Sequence, residues 1–235
     1  MIIPRDFYTG DNVVQIARDL LGKKLCSMID GGITSGMIVE TEAYAGIADR
    51  ASHAFGGRRT ARTEIMYWQG GTAYVYLCYG IHSLFNIVTN TADVPHAVLI
   101  RGIIPVGDNV LIEKRLGKKL KPKSGIGPGN VSKLLGIHYS HTGLDLCNVP
   151  GTKEKDTIWL EDEGIKVPME EISITARIGV DTPGKMPCYH TGLYGSEVSE
   201  TCFQVRPRGV RMKCLNTLQR DHLAFLASAT SNIKH

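Results

Sequence analysis

The chain has 235 residues, of which 43% are hydrophobic and 21% are charged, and it carries a formal net charge of +4. These values are typical of one globular domain and exclude a low-complexity or disordered chain. The mild positive charge does not by itself indicate a nucleic-acid partner, because only a clustering of basic residues would do so.

The six cysteines form neither a CxxC pair nor a dense framework, which predicts reduced thiols and neither disulfides nor a zinc site. Charged residues follow the N-terminus after only a few apolar ones, so we expect no signal peptide. No run approaches the roughly 20 apolar residues that span a bilayer. The expected location is the cytoplasm, at the nucleoid in a bacterium, with no membrane partner.

In chain order, Asp11 is predicted to cap a helix that ends at Gly22. Residues 25–28 and 33–44 then have strand character, and a turn at Gly31 and Gly32 would join them as a hairpin. Further strands are predicted at residues 72–79, 84–89 and 97–104, and a short helix at residues 131–135. No repeat or linker interrupts this order, which favours a single domain.

The strand at 33–44 carries two carboxylates. Strand periodicity places four residues on one face, namely Ile38, Glu40, Glu42 and Tyr44. Like charges on one strand face repel each other unless solvent or cations compensate them. The pattern therefore indicates either an exposed sheet edge or a site that uses the carboxylates.

Two later segments have the composition of a binding surface. The loop at residues 45–64 holds glycines and three arginines whose guanidinium groups could grip phosphate oxygens, namely Arg58, Arg59 and Arg62. A solvated basic loop is the alternative. The aromatic strand that follows ends at Tyr79 and Gly80, which predicts a sharp turn with an aromatic side chain at its tip.

A second cluster of charge lies further along the chain. Arg101 falls inside an apolar strand and therefore needs a carboxylate or phosphate partner. Residues 114–123, KRLGKKLKPK, hold six basic side chains and no acidic one. The SGIGPGN segment then leads into a predicted helix, an arrangement that can hold an anion, although its spacing matches neither a P-loop nor a dinucleotide fingerprint.

Together these motifs resemble the alkyladenine (3-methyladenine) DNA glycosylase family of mammals and many bacteria. The motifs are IVETEAYAG, AxHAxGGRRTxR, GTAYVYLCYG with Asn86 following, VLIRG, and GPGNVSKLLGI ahead of ARIGVD. The resemblance runs from Asp6 to Asp181 and implies an enzyme that flips a damaged purine nucleotide out of double-stranded DNA and hydrolyses its N-glycosidic bond. It implies a monomer that needs no cofactor and no metal and forms no Schiff base.

The resemblance also implies roles for individual residues. Glu42 would activate the attacking water, and Arg101 would orient that water and the nucleotide. The base pocket would be formed by Tyr44, His53, Tyr76, Asn86 and Val180. In that pocket the two tyrosines would sandwich the base, the histidine would contact its edge or sugar, and the asparagine would discriminate against some unmodified purines. The valine would offer its backbone near the water.

The remaining predicted residues face the DNA. Tyr79 would wedge into the stack where the base has left. The basic residues predicted to bind DNA are Arg58, Arg59, Arg62, Lys118 and Lys119. The implied fold is a single α+β domain with flanking helices on a curved, mostly antiparallel sheet, similar to the C-terminal domain of methionyl-tRNA formyltransferase.

The resemblance fails after Asp181, which divides the chain into a glycosylase domain at 1–181 and a divergent tail at 182–235. The family usually continues with Tyr-Ala-Gly and later Leu-Pro. One nucleotide inserted after the codon of Asp181 can restore that continuation, so we hypothesise a frameshift, with a genuinely divergent tail as the alternative. A frameshifted tail would pack poorly and leave the core without its closing strand. Sequencing the gene across this codon decides between the two.

Three other functions compete with the glycosylase. A nucleic-acid-binding module of the same fold would keep the surface without the chemistry, although Glu42, Arg101 and Tyr79 are all present. A metal-dependent hydrolase would use histidines and glutamates, but no HExxH or comparable spacing occurs. A small-molecule glycosidase would leave the arginine loop and the lysine run without a purpose.

Overall fold

A computed structural model describes residues 1–148, 156–178 and 202–205 of the chain. The helices are α1 (Arg5–Tyr8), α2 (Val13–Asp19), α3 (Val110–Leu116) and α4 (Pro128–Leu135). The strands are β1 (Lys24–Ile29), β2 (Gly32–Tyr44), β3 (Ala73–Cys78), β4 (His82–Thr89), β5 (His96–Val106), β6 (Thr157–Glu161), β7 (Ile172–Thr175) and β8 (Cys202–Val205). Within these ranges, no helix has the length and apolar character that crossing a membrane requires.

The strands form one eight-stranded sheet in the order β3-β4-β5-β2-β1-β6, and β8 pairs with both β2 and β7. Every pairing between these strands is antiparallel. This confirms the predicted α+β class. The β1–β2 hairpin turns at Asp30 and Gly31, one residue earlier than predicted, and both have positive φ angles of 56° and 73°. Two positive φ angles suit the tight twist of a two-residue hairpin, which Asp-Gly provides readily.

The core lies between one face of the sheet and the helices α2 and α4. Ala43, Ile87 and Val98 belong to the same buried cluster as Ala17 of α2 and Leu134 of α4. Burying a side chain of the size of valine or leucine contributes roughly 1.5–3 kcal/mol, so this cluster stabilises the sheet. Its position leaves the other face of the central strands free for polar side chains.

The N-terminal helix corrects one prediction. Asn12, and not Asp11, caps α2, because the Asn12 side chain accepts a hydrogen bond of 2.9 Å from the backbone N–H of Gln15. Both residue types favour this position, so their order in the sequence does not decide between them.

Two bulges between β2 and β5 correct the predicted strand face. Ile38 pairs with Ile103 and Glu40 pairs with Gly102, so Val39 has no residue opposite it on β5. Thr41 pairs with Ile100, so Arg101 has no residue opposite it on β2. A bulge changes which residues share a face. Ile38 therefore points into the core with 0% exposure and does not share a face with Glu40, contrary to the prediction.

Part of the tail contributes to the sheet. Cys202 and Phe203 are buried, and Phe203 joins the main core cluster while it pairs with Thr41. Residues 202–205 of the tail therefore add a strand to the sheet, because they are apolar enough to pair and pack. Residues 182–201 and 206–235 lie outside the described residues, and the frameshift stays a prediction.

Candidate active site

One row of side chains crosses the face of the sheet that lies opposite the helices. Glu42 pairs with Leu99, Leu99 with Asn86, and Asn86 with Tyr74, across the strands β2, β5, β4 and β3. Directly opposed residues share a face, so these side chains stand next to one another. Tyr44 and Tyr76 each lie two residues along their strands and hence on the same face. The predicted catalytic and pocket residues on the sheet are therefore brought together.

Glu42 is fully buried and is held by three donors. Its Oε2 accepts a hydrogen bond of 2.8 Å from the Tyr44 hydroxyl, and its Oε1 accepts one of 2.8 Å from the backbone N–H of Ile178. The Nε of Arg101 lies 3.3 Å from the same Oε1. These contacts fix the carboxylate in one orientation above the sheet.

Burial raises the pKa of the Glu42 carboxyl above its ordinary value, and Arg101, Ile178 N–H and Tyr44 offset this only in part. Burial and the neighbouring carboxylate also raise the pKa of the Tyr44 phenol, which therefore stays protonated and remains a donor. A carboxylate whose pKa has moved towards neutrality is a stronger base. Glu42 thus has the chemistry of a general base.

Arg101 lies between two carboxylates, as its position in an apolar strand predicts. Its Nε is 3.3 Å from an oxygen of Glu40 and 3.3 Å from an oxygen of Glu42. A side chain on Gly102 would come within 3.0 Å of the Cβ of Glu40, so glycine leaves room for the second carboxylate. Glu40 is 3% exposed and is therefore not part of a solvated sheet edge.

Arg177 and Asp49 form a buried ion pair that sequence reasoning missed. The Arg177 guanidinium donates hydrogen bonds to both carboxylate oxygens of Asp49, and the bond from Nη2 to Oδ1 is 2.9 Å long. Its Nη1 also donates to the carbonyl of Ala43 at 3.0 Å. The guanidinium also lies 4.7 Å from the centre of the Tyr44 ring. The ARIGVD motif marked this segment, but the pairing joins residues 128 positions apart and has no signal in a single sequence.

Ile178 is the other missed position. Its backbone N–H reaches Glu42 because the Arg177 side chain anchors the segment beside the end of β2. Val180, for which a backbone role near the water was predicted, lies outside the described residues. The backbone contact that this segment makes with Glu42 comes from Ile178, and the role of Val180 stays a prediction.

His53 reaches the pocket from the loop after β2. Its Nδ1 lies 2.8 Å from the Tyr74 hydroxyl, and its ring meets the Tyr76 ring edge to face at 4.7 Å. Burial, together with the nearby charges of Arg62 and Arg58, lowers the pKa of His53 to about 4. The imidazole is therefore neutral at physiological pH and can both donate and accept a hydrogen bond.

Asn86, which was predicted for the base pocket, is buried, whereas Tyr79, which was predicted to wedge into the DNA stack, is exposed. Asn86 is 4% exposed, and its amide donates to the carbonyls of Tyr74 and Leu84 at 3.1 and 3.2 Å. Tyr79 is 73% exposed at the tip of the β3–β4 hairpin, beside the equally exposed Ile81. Tyr79 has a φ of 51°, an uncommon conformation for a bulky residue that is often found at functional sites.

The three arginines of the loop differ in their surroundings. Arg59 donates to both carboxylate oxygens of Glu64 and to Asp93, so a phosphate would have to displace a carboxylate from it. Arg62 lies over the Tyr76 ring, 4.8 Å from its centre. Arg58 is exposed. A phosphate contact stays a prediction for all three.

The lysine run begins in α3 and continues beyond the end of that helix. Lys118 and Lys119 follow α3, and Lys119 forms an exposed ion pair of 2.7 Å with Glu113. The end of the run returns towards the site, because Ile126 bridges to Gly102 beside Arg101. The predicted DNA contacts of Lys118 and Lys119 stay predictions.

Comparison with known proteins identifies the family of this chain. A family model described as Methylpurine-DNA glycosylase (MPG) matches residues 6–191. A Bdellovibrio bacteriovorus protein named "Putative 3-methyladenine DNA glycosylase" is 43% identical over 185 residues, or 79% of this chain and 90% of that protein. A Chlamydia felis protein of the same name is 44% identical over 150 residues, or 63% of this chain and 77% of that protein. The chain therefore belongs to the methylpurine-DNA glycosylase family.

Proposed function

We propose that this chain is a DNA glycosylase that removes alkylated or deaminated purines from double-stranded DNA and leaves an abasic site. The observation that carries the proposal is the buried Glu42, held by Tyr44, Ile178 and Arg101 at one end of a row of pocket side chains. Family membership and the names of the relatives support a glycosylase that acts on alkylated purines.

A base inside a duplex is sterically inaccessible, so the enzyme must extrude the nucleotide at a cost of a few kcal/mol. Tyr79 at the exposed hairpin tip is the side chain we assign to the vacated position. Stacking an aromatic ring on a base contributes about 1–3 kcal/mol, which offsets part of that cost.

The chemistry assigned to Glu42 is general-base hydrolysis. The carboxylate takes a proton from water, and the water oxygen bonds to C1′ of the sugar. The N-glycosidic bond breaks, and its electron pair leaves with the base. A base alkylated at N3 or N7 leaves as a neutral molecule, whereas a neutral purine leaves as an anion that takes a proton from solvent. The ionised carboxylate also stabilises positive charge that develops on the sugar, as in glycoside hydrolysis.

The proposal is tested by single-turnover incubation of the full chain with a duplex that contains one hypoxanthine, in the presence of EDTA. We expect alkali-labile abasic sites at the lesion and none in the same duplex with adenine in its place. In the described part of the chain, no group of three or more histidine, cysteine, aspartate or glutamate side chains is placed to hold a metal ion. Activity in EDTA would exclude a metal-dependent hydrolase.

The same experiment separates the alternatives. Tight binding of the damaged duplex without cleavage would contradict the glycosylase and indicate a binding module. Borohydride added during turnover should trap no covalent complex with DNA, and a trapped complex would show that the enzyme forms a Schiff base.

Replacing Tyr44 by Phe is expected to move the acidic limb of the pH–rate profile to higher pH by about one unit. The Tyr44 hydroxyl lowers the pKa of Glu42, so its loss lets that pKa rise and protonates the base at a higher pH. A hydrogen bond to a charged group is worth roughly 1.5 kcal/mol, and one pH unit corresponds to about 1.4 kcal/mol.

Single-turnover rates between pH 5 and 8 measure this shift, because the pKa of Glu42 is raised above the ordinary carboxyl value of roughly 4–5. Tyr67→Phe is the matched control, because the Tyr67 hydroxyl donates to the Arg58 carbonyl and not to a carboxylate. The acidic limb of the control's pH–rate profile should lie at the same pH as that of the wild type. A Tyr44→Phe limb that coincides with the control would show that this hydroxyl does not tune the base.

A further inference from the structure

An arginine guanidinium group lies over each of the two tyrosine rings assigned to the base sandwich. Arg177 lies 4.7 Å from the centre of the Tyr44 ring, and Arg62 lies 4.8 Å from the centre of the Tyr76 ring. The two arginines differ in their counterions. Asp49 neutralises Arg177, whereas in the described ranges no carboxylate lies within ion-pair distance of Arg62. The Tyr76 wall therefore carries a positive charge that a neighbouring acid does not balance.

The surroundings of Arg62 place this charge at the pocket. Its Nη2 lies 3.5 Å from the Nε2 of His53, which in turn contacts the Tyr74 hydroxyl and the Tyr76 ring. Arg62 is exposed, so its side chain lies on the solvent side of this wall. Because His53 is neutral, the imidazole adds no further charge, and the positive potential on this wall comes from Arg62 over the ring together with Arg58.

A purine stacked on Tyr76 lies close enough to Arg62 for their charges to interact, because the guanidinium is 4.8 Å from the ring centre and salt screens charges only over about 8–10 Å. A cationic purine is repelled there, and it also finds the negative face of the ring already engaged by a cation. A neutral purine with an oxygen or a ring nitrogen at its edge can instead accept a hydrogen bond from the guanidinium. The same arginine therefore affects the two kinds of lesion in opposite directions.

We propose that Arg62 ranks damaged bases by charge, favouring neutral lesions such as hypoxanthine over cationic purines alkylated at N3 or N7. This inference rests on the proposed glycosylase function. The carboxylates of Glu40 and Glu42 attract any cationic base, but an Arg62 variant leaves both in place. The ratio of rates on the two lesions therefore isolates the effect of Arg62.

The test compares Arg62→Gln with Arg62→Lys in the full chain. Single-turnover rates are measured for release of 3-methyladenine from freshly methylated duplex and for release of hypoxanthine from a duplex of the same length. We expect Arg62→Gln to raise the ratio of 3-methyladenine to hypoxanthine rates about tenfold, which corresponds to about 1.4 kcal/mol. Arg62→Lys keeps the charge and should therefore change the ratio much less than Arg62→Gln does, although lysine does not reproduce the stacking of a guanidinium group on the ring.

Arg59→Gln is the control from the same loop, since Arg59 is already paired with Glu64 and Asp93. This variant should not change the ratio. Equal losses on both lesions in Arg62→Gln, with a weaker salt dependence of binding, would overturn the proposal and leave Arg62 as a phosphate contact. A wild type that releases neither base would instead refute the glycosylase function itself, and the inference with it.

Discussion

Replacing Glu42 by Gln is expected to lower the single-turnover rate of base release by roughly 10²–10⁴-fold, the usual contribution of a general base. Glutamine keeps the size of the side chain and an oxygen that can accept from Tyr44 or from the N–H of Ile178. It cannot take a proton from water. Binding of the damaged duplex should therefore stay within a few-fold of the wild type, while product formation falls.

The same variant should not be less stable than the wild type at pH 7. Because the pKa of Glu42 is raised in the folded state, the folded chain holds this proton more tightly than the unfolded chain. Ionised Glu42 therefore destabilises the fold above its ordinary pKa, and this loss of stability grows as the pH rises towards the folded value. An uncharged glutamine removes that loss, and thermal unfolding should occur at the same or a higher temperature.

Glu170→Gln is the control, because Glu170 is an exposed carboxylate in the short turn just before β7. It should match the wild type in rate and in unfolding temperature. A Glu42→Gln variant that cleaves at the rate of this control would exclude Glu42 as the base. Glu40, which shares Arg101 with Glu42, would then be the next carboxylate to replace.

The sequence predicts β2 well where the pattern is regular and fails where the backbone departs from it. Alternation places Glu42 and Tyr44 on one face, and the register confirms this. Ile38 was assigned to the wrong face because the bulge at Val39 depends on hydrogen bonds to β5. The periodicity of one strand contains no information about such a partner.

Prediction of the candidate active site from the sequence has a similar limit. Arg58, Arg59 and Arg62 are equivalent in the sequence, yet Arg59 is held by two carboxylates and Arg62 stacks on a pocket tyrosine. The difference arises from the fold of the loop around Glu64 and Asp93, not from the residues themselves. Asp49 has no local feature that distinguishes it from other loop aspartates, because its partner is far away in the chain.

Replacing Asp49 by Asn is expected to destabilise the chain by about 3–5 kcal/mol, since removing one member of a buried ion pair leaves the other charge uncompensated. The side chains of Asp49 and Arg177 are 2% and 7% exposed. For a chain of this size the loss corresponds to a fall of roughly 6–20 °C in the unfolding temperature. Glu64→Gln, at the exposed pair with Arg59, should change that temperature little.

Asp49→Asn should also slow base release beyond what its lower stability explains. Arg177 supports the Tyr44 ring and anchors the segment whose Ile178 N–H donates to Glu42. Loosening that segment removes a donor that lowers the pKa of Glu42, so the acidic limb of the pH–rate profile should move to higher pH.

The double variant Asp49→Leu with Arg177→Met separates the two effects. Removing both charges should restore much of the unfolding temperature, because apolar side chains often replace a buried ion pair without loss. The pH–rate limb should stay displaced, because the double variant also lacks the Arg177 guanidinium group, which holds the Ile178 segment to β2 and lowers the pKa of Glu42. An Asp49→Asn chain that unfolds at the wild-type temperature would show that the pair carries little of the stability. A double variant with the wild-type limb would show that the pair does not position Glu42.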